Sequence, residues 1–302
     1  MRLQPIATGK HNASYWVQAD ERRYVLRVAP PDDAGLLFYE QRMMRQEPAL
    51  HALIRARTRV PVAEVVAHDF TRTQLDRDYL LLEALPGTAL SEVTALARPQ
   101  LERVLFQVGG HLRQLHALTA DDCLGAHAYG YLGAHQPMPP QPSWEAAFRV
   151  MWNLLLDDVV ASGCYRPAEA DRLRELYQRH QHHFEHPVQP RLLHMDVWAQ
   201  NILVDGLGNV TGLLDLDRAL WGDPEIEFAV LGYCGISEPA FWRGYGQARD
   251  TSPSAEIRRR FYLLYEVQKY MPIHVWRRGD PGGARGYRAR SLALARQLGQ
   301  QT

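Results

Sequence analysis

Apolar and polar positions alternate with a two-residue period near the start of the chain, at Ser14-Tyr15-Trp16-Val17-Gln18 and again at Arg23-Tyr24-Val25-Leu26-Arg27-Val28. Each stretch reads as a strand, and Gln18-Ala19-Asp20-Glu21-Arg22 between them reads as the turn of a hairpin. Pro30-Pro31 stops the second strand. From Leu36 to about Arg57 the period lengthens to a helical one, marked by Leu50, Leu53 and Ile54, and Val60-Pro61-Val62 ends it. Val65-Val66-Ala67 starts another strand, Tyr79-Leu80-Leu81-Leu82-Glu83 reads as a buried one, and Pro86-Gly87 breaks the pattern. These signals place a strand-rich lobe at residues 1–85, a boundary near 83–88, and a second lobe at 89–302.

Beyond Gly87 the period is mainly helical. Leu101 to Leu118, Trp144 to Ser162, Pro167 to Phe184 and Ser254 to Val275 carry apolar residues at i, i+3 and i+4. The proline-rich stretch 135–142 reads as a surface loop, and Gly279-Asp280-Pro281-Gly282-Gly283 as a turn. One β-rich island, residues 191–216, interrupts the helices. The expected fold class is therefore α+β, with a small β-rich lobe and a larger, mainly helical one.

Composition narrows the function. With 302 residues, 46% of them apolar, the chain can bury a substantial core, which excludes disordered and fibrous classes. Its 34 Lys+Arg balance 34 Asp+Glu, so no global field favours nucleic acid. Cys123, Cys164 and Cys234 form no CxxC pair, which suits buried thiols in a reducing compartment. The N-terminal residues lack the apolar core of a secretion signal, and no run approaches a bilayer span. A cytoplasmic protein with no membrane partner is expected. Lys10 and Lys269 are the only lysines, so a chemistry that needs one has two choices.

The β-rich island holds H-x-D-x4-N, as His194, Asp196 and Asn201, between the apolar, strand-like stretches Leu192-Leu193 and Ile202-Leu203-Val204. Asp205-Gly206-Leu207-Gly208-Asn209 follows as a turn, then Val210 to Asp215. A turn centred on Leu207 sets residue 201 opposite 213 and brings Asn201 and Asp215 to the open end of one hairpin. Oxygen ligands from an Asn and an Asp suit Mg²⁺, which shares its shell with substrate phosphates. Asp196, on the loop entering the hairpin, is placed to accept a proton from an attacking hydroxyl.

This arrangement resembles the protein-kinase catalytic loop and its following metal-binding Asp. Together with Leu214-Asp215-Leu216-Asp217 and Gly222-Asp223-Pro224-Glu225-Ile226-Glu227-Phe228-Ala229, it is more similar to the aminoglycoside phosphotransferase and choline-kinase-like family of small-molecule kinases. The resemblance implies a bilobal protein-kinase-like fold, ATP or GTP as phosphoryl donor with Mg²⁺, and a small hydroxylated acceptor. It makes Asp196 the catalytic residue and Asn201 and Asp215 the metal ligands. Gly9-Lys10-His11-Asn12-Ala13-Ser14 falls at the nucleotide-covering loop, assigning Gly9, Asn12 and Ser14 to the cofactor. Glu47 matches the helix glutamate that pairs with the phosphate-binding lysine, with Glu40 competing for that role. Glu83-Ala84-Leu85-Pro86-Gly87 matches the hinge, so Glu83 and Leu85 would flank adenine, and Leu115-His116-Ala117-Leu118 is a further recurring block. Two departures stand out: Arg27 occupies the lysine position, and Glu227 replaces the usual Asp of the last block.

Each of these residues also has a plainer reading. His194 is expected to be a hydrogen-bonded imidazole that shapes the loop, not a base. Asp217 reads equally as a second metal ligand or a salt-bridged structural residue. Asp223 and Glu227 are expected to cap, or to pair with Arg218 and neighbouring arginines. His180, His182, His183 and His186 read as a solvated helix end, and Trp144, Trp152, Trp221 and Trp242 as core. For the acceptor, residues 205–227 carry Asp205, Asp215, Asp217, Asp223, Glu225 and Glu227 against Arg218 alone. With Asp157, Asp158 and Glu238, which the resemblance places near the acceptor cleft, this acidity suits a cationic acceptor such as an aminoglycoside. A metabolite kinase acting on choline, amino sugars, fructosamines or homoserine is the alternative, and a silent nucleotide-binding pseudokinase, suggested by Arg27, is the third reading.

Overall fold

The computed structural model of the chain describes all residues except 1, 8–10, 33–34, 95, 134 and 301–302. Gly9 of the expected nucleotide-covering loop, and Lys10 beside it, lie outside the described residues. The alternating N-terminal stretches form an antiparallel five-stranded sheet of order β1-β2-β3-β5-β4. Its strands are β1 (Arg2–Ile6), β2 (Ala13–Ala19), β3 (Arg22–Val28), β4 (Val65–Asp69) and β5 (Tyr79–Glu83). The β2–β3 hairpin is the expected one; β1 was not anticipated, because an almost fully exposed edge strand leaves no alternation to read.

The helix expected from Leu36 forms only from Glu47, as α1 (Glu47–Arg57). Pro48, without an N–H, fits the first turn of a helix but not its interior. Before it, Arg42 at φ 55° separates two short 3₁₀ turns, 38–40 and 43–46. This irregular segment carries Leu37, Phe38 and Tyr39 into the core of the helical lobe, where the Tyr39 ring stacks on Tyr131 at 5.3 Å.

Past the two-residue β6 (Thr88–Ala89) the chain becomes helical, with α2 (Arg98–Leu115), α3 (Ala120–Leu124), α4 (Trp144–Ala161) and α5 (Pro167–His180). The island then supplies β7 (Arg191–Leu193), β8 (Ile202–Val204), β9 (Val210–Leu213) and β10 (Leu220–Gly222). Five helices close the lobe: α6 (Pro224–Tyr233), α7 (Pro239–Tyr245), α8 (Pro253–Gln268), α9 (Tyr270–Trp276) and α10 (Pro281–Gly299). β8 pairs with β6 on one side and β9 on the other, and β7 pairs with β10.

Several helix boundaries differ from expectation for identifiable reasons. The stretch 254–275 is two helices, because Pro272 cannot donate back to residue 268. The helix expected over 167–184 becomes a 3₁₀ turn after His180. Gly279–Gly283 is a helix start, not an isolated turn: Asp280 accepts from the Gly283 N–H at 2.9 Å and Pro281 occupies the first turn. α6 is buried from Glu225 to Leu231 and so shows no amphipathic stripe. α7 lies on α2 at backbone contact, and a Cβ on Gly244 would fall 1.8 Å from the Phe106 carbonyl oxygen. No helix among the described residues is long and apolar enough to cross a membrane.

Candidate active site

The loop between β7 and β8 carries His194, Met195 and Asp196, and its backbone is held from below. Glu227 of α6, 1% exposed, accepts the N–H groups of His194 at 3.2 Å and Met195 at 2.7 Å. It also meets His116 Nε2 at 2.7 Å, while His116 Nδ1 meets the Tyr245 hydroxyl at 2.9 Å. Burial works to raise the Glu227 carboxyl, but His116 outweighs it and holds the group below the ordinary range. The expected pairing of Glu227 with an arginine is thus replaced by His116 and two backbone donors, since the loop backbone reaches the carboxylate first. Asp223 caps α6 as expected, accepting from the Glu225 N–H at 2.9 Å. Met195 (φ 65°) and Asp215 (φ 69°) both adopt the left-handed region that non-glycine residues avoid, strain that the surrounding contacts sustain.

Asp196 has both carboxylate oxygens engaged, with its side chain 25% exposed. Oδ1 accepts from Arg218 Nη1 at 3.0 Å, and Oδ2 from Asn201 Nδ2 at 2.8 Å. His194 is fully buried and accepts the Asp196 N–H at Nδ1, 3.3 Å, as a loop-shaping imidazole should. The hairpin register differs by one from expectation: Ile202, not Asn201, faces Leu213, with an irregularity between Leu203 and Val204. Asp205 causes the offset by gathering the turn onto its Oδ1, which accepts the N–H groups of Leu207 and Asn209 at 2.9 and 2.8 Å. Asn201 accepts the Leu214 N–H at 2.9 Å, so Asn201 and Asp215 still flank the hairpin's open end.

Arg27, from the middle of the N-terminal sheet, reaches across to this end. Its Nη1 donates to Glu47 Oε2 at 2.6 Å, and its Nη2 to Asp217 Oδ2 at 3.2 Å and to Asp215 Oδ1. Oxygens of Glu47, Asp215 and Asp217 lie within 4.8 Å of one another, the one group of three or more His, Cys, Asp or Glu side chains among the described residues that could hold a metal ion. Burial works to raise the Asp215 carboxyl, yet Arg27 outweighs it and keeps Asp215 low. Burial and the Asp215 charge together push the Asp217 carboxyl well up. Asn12 donates to Asp217 Oδ2 at 3.2 Å, joining the N-terminal loop to the cluster, while Ser14 sits opposite Arg27 in the β2–β3 register. Glu40 does not compete with Glu47 for Arg27; it pairs with Arg277 at 3.0 Å.

The remaining expected site residues are engaged with other partners. Glu83 turns its carboxylate to Arg55 and to the Glu64 N–H, and Leu85 rests on Gly212, where a Cβ would come 2.9 Å from Leu85 Cδ1. Asp157 pairs with Arg174 at 2.5 Å and Glu238 with Arg98 at 2.7 Å. Asp158 accepts the Phe38 N–H at 2.8 Å, and burial pushes its carboxyl up to about 6. His183 meets Ser254 Oγ at 3.0 Å and His186 faces Asp223 at 3.3 Å, so neither is a purely solvated residue. The three cysteines are free and half-buried. Trp144, Trp152 and Trp221 are core, as expected. Sequence reasoning missed Arg218 as the partner of Asp196, although it is the lone base in an acidic stretch. It also missed Glu266 and Lys269 behind Arg218, for which no local signal exists.

This fold and site define a protein-kinase-like phosphotransferase. The sequence model described as "Phosphotransferase enzyme family" matches residues 2–262, and the chain belongs to that family of small-molecule kinases. Its relatives include "Probable ketoamine kinase VP1481" of Vibrio parahaemolyticus, 26% identical over 268 residues, covering 87% of this chain and 83% of the relative. Hygromycin-B 4-O-kinase of Escherichia coli is 24% identical over 279 residues, covering 87% and 71%. A solved structure of aminoglycoside phosphotransferase APH(4)-Ia, in complex with AMP-PNP and hygromycin B, superposes with a TM-score of 0.69. At 19% identity it covers 100% of this chain and 95% of its own, a likeness of fold.

Proposed function

We propose that the protein transfers the γ-phosphoryl group of ATP or GTP, with Mg²⁺, to a hydroxyl of a ketoamine-type sugar amine. The observation that carries this reading is the convergence of Arg27, Asp215 and Asp217 beside the loop that presents Asp196 and Asn201. Asp196 accepts the proton of the attacking hydroxyl at a carboxylate oxygen as the new P–O bond forms and the β–γ bridging bond breaks. Arg27, steadied by Glu47, offers a planar fork to phosphate oxygens in place of a lysine point charge. Oxygen-rich Asn201 and Asp215 fit Mg²⁺, which would supply charge neutralisation at the phosphates. Asn12 and Ser14 would line the phosphate end of the nucleotide, Glu83 and Leu85 the hinge at 83–88 between lobes 1–85 and 89–302. Catalysis on these terms is positioning and electrostatics.

The acidity of residues 205–227 weighs less toward a polycationic acceptor than the sequence suggested, because those carboxylates have internal partners. Asp205 holds its own turn, Asp215 and Asp217 face Arg27, Asp223 takes the Tyr262 hydroxyl, Glu225 meets Arg259 and Glu227 meets His116. Together with the ketoamine-kinase relative, this favours an acceptor of modest charge; an aminoglycoside is the second reading. The Arg27–Glu47 pair supports an active enzyme over a silent one. ADP or GDP release measured with 1-butylamino-1-deoxyfructose and with hygromycin B separates the readings: turnover with the first alone supports the proposal, turnover with the second alone defeats the ketoamine assignment.

A further inference from the structure

The arginine on Asp196 is itself held from the far side. Arg218 Nη2 donates to Glu266 Oε2 at 3.2 Å, and the other oxygen of Glu266 is taken by Lys269 at 2.5 Å and the Tyr270 hydroxyl at 3.4 Å. Arg218, Glu266 and Lys269 are 7%, 1% and 5% exposed, so the row Asp196, Arg218, Glu266, Lys269 alternates in charge from a partly open site into a dry interior. Breaking one member of such a buried row leaves its neighbour uncompensated. We infer that Glu266, with Lys269 behind it, is a positioning residue that fixes Arg218 on Oδ1 of Asp196 and thereby aims the proton-accepting carboxylate at the acceptor hydroxyl.

The division of Glu266's two oxygens carries the argument. A free carboxylate beside a guanidinium tends to a two-point fork with both Nη groups. Here Lys269 occupies Oε1, so only Oε2 is left for Arg218 and Nη1 stays free for Asp196. Glu266 and Lys269 sit at the end of α8, where the helix breaks before Pro272, so the pair lies on a rigid element anchored in the aromatic core. This also assigns a task to Lys269, one of only two lysines.

The inference rests on Asp196 as proton acceptor, and the experiment separates the two. In turnover with 1-butylamino-1-deoxyfructose, or with whichever acceptor the screen identifies, Glu266→Gln, an isosteric change, is expected to lower kcat about ten-fold or more. Its KM for nucleotide and its nucleotide-induced thermal shift should stay at wild-type values. Combined with Arg218→Ala, it should add no further loss, because Glu266 acts only through Arg218. Glu266→Asp, which keeps the charge, should recover part of kcat. Should Glu266→Gln fail to fold, Glu266→Asp in the same cycle gives the same reading. Independent, multiplying losses in the cycle, or an unchanged kcat, overturn the inference while Asp196→Asn remains inactive. Turnover by Asp196→Asn instead overturns the underlying assignment.

Discussion

Arg27 answers three carboxylates with one guanidinium, and that ratio sets what its removal does. Arg27→Met leaves Glu47, Asp215 and Asp217 facing one another inside the protein; breaking a buried pair in this way costs about 3–5 kcal/mol. Urea unfolding in metal-free buffer should show that loss, and millimolar Mg²⁺ should restore part of it by supplying another cation. A loss unchanged by Mg²⁺ would mean the carboxylates do not form a cation site. Asp158 gives a pH-dependent counterpart. Burial raises its folded pKa to about 6, above the unfolded value of about 3.9, so its favourable contribution is present below pH ~4 and is lost as pH rises through ~6. Asp158→Asn stays neutral, so its stability relative to wild type should climb between pH 4 and 6 and level off above. Equal differences at pH 4 and pH 7 would contradict the assigned shift.

At the scale of elements, α6 and the 194–201 loop form one unit through Glu227. Glu227→Gln keeps one acceptor oxygen for three donors, leaving at least one buried N–H unpaired at a cost of about 1–3 kcal/mol. It should also lower kcat while nucleotide affinity is retained, since the loop carrying Asp196 loosens and the Arg27 cluster does not; unchanged kcat would show that the loop is held by other contacts. How far these elements were legible in the sequence depended on their surroundings. The β2–β3 hairpin and the helices α2, α4 and α5 were readable because each has one wet face and one dry face. The strand β1, exposed on both faces, and the helix α6, buried on all sides, carry no such contrast. The motif His194-x-Asp196-x4-Asn201 identified the loop because its residues are close in sequence. Arg218 was visible as the lone base of an acidic stretch, but its partners Asp196 and Glu266 lie 22 and 48 residues away, and that separation left no local trace of the pairing.

For the whole molecule, the zero net charge conceals an ordered interior in which carboxylates crowd one island and find arginine, histidine or backbone partners. The two lobes meet there, with Arg27 and Glu47 supplied by the first and Asp215 and Asp217 by the second. A nucleotide that bridges them stabilises the whole chain by mass action, about 2.7 kcal/mol at one hundred times its Kd. Thermal unfolding should therefore shift upward with Mg-ATP or Mg-GTP, shift less with the nucleotide in EDTA, and lose its Mg²⁺ dependence in Asp215→Asn. An equal shift with and without Mg²⁺ would count against the metal assignment. The most direct test of the account is the transfer of labelled γ-phosphoryl from ATP or GTP to 1-butylamino-1-deoxyfructose, compared between the wild type and Asp196→Asn. The account predicts a Mg²⁺-dependent phosphorylated product in the wild type and none in the folded variant; equal product from both would contradict it.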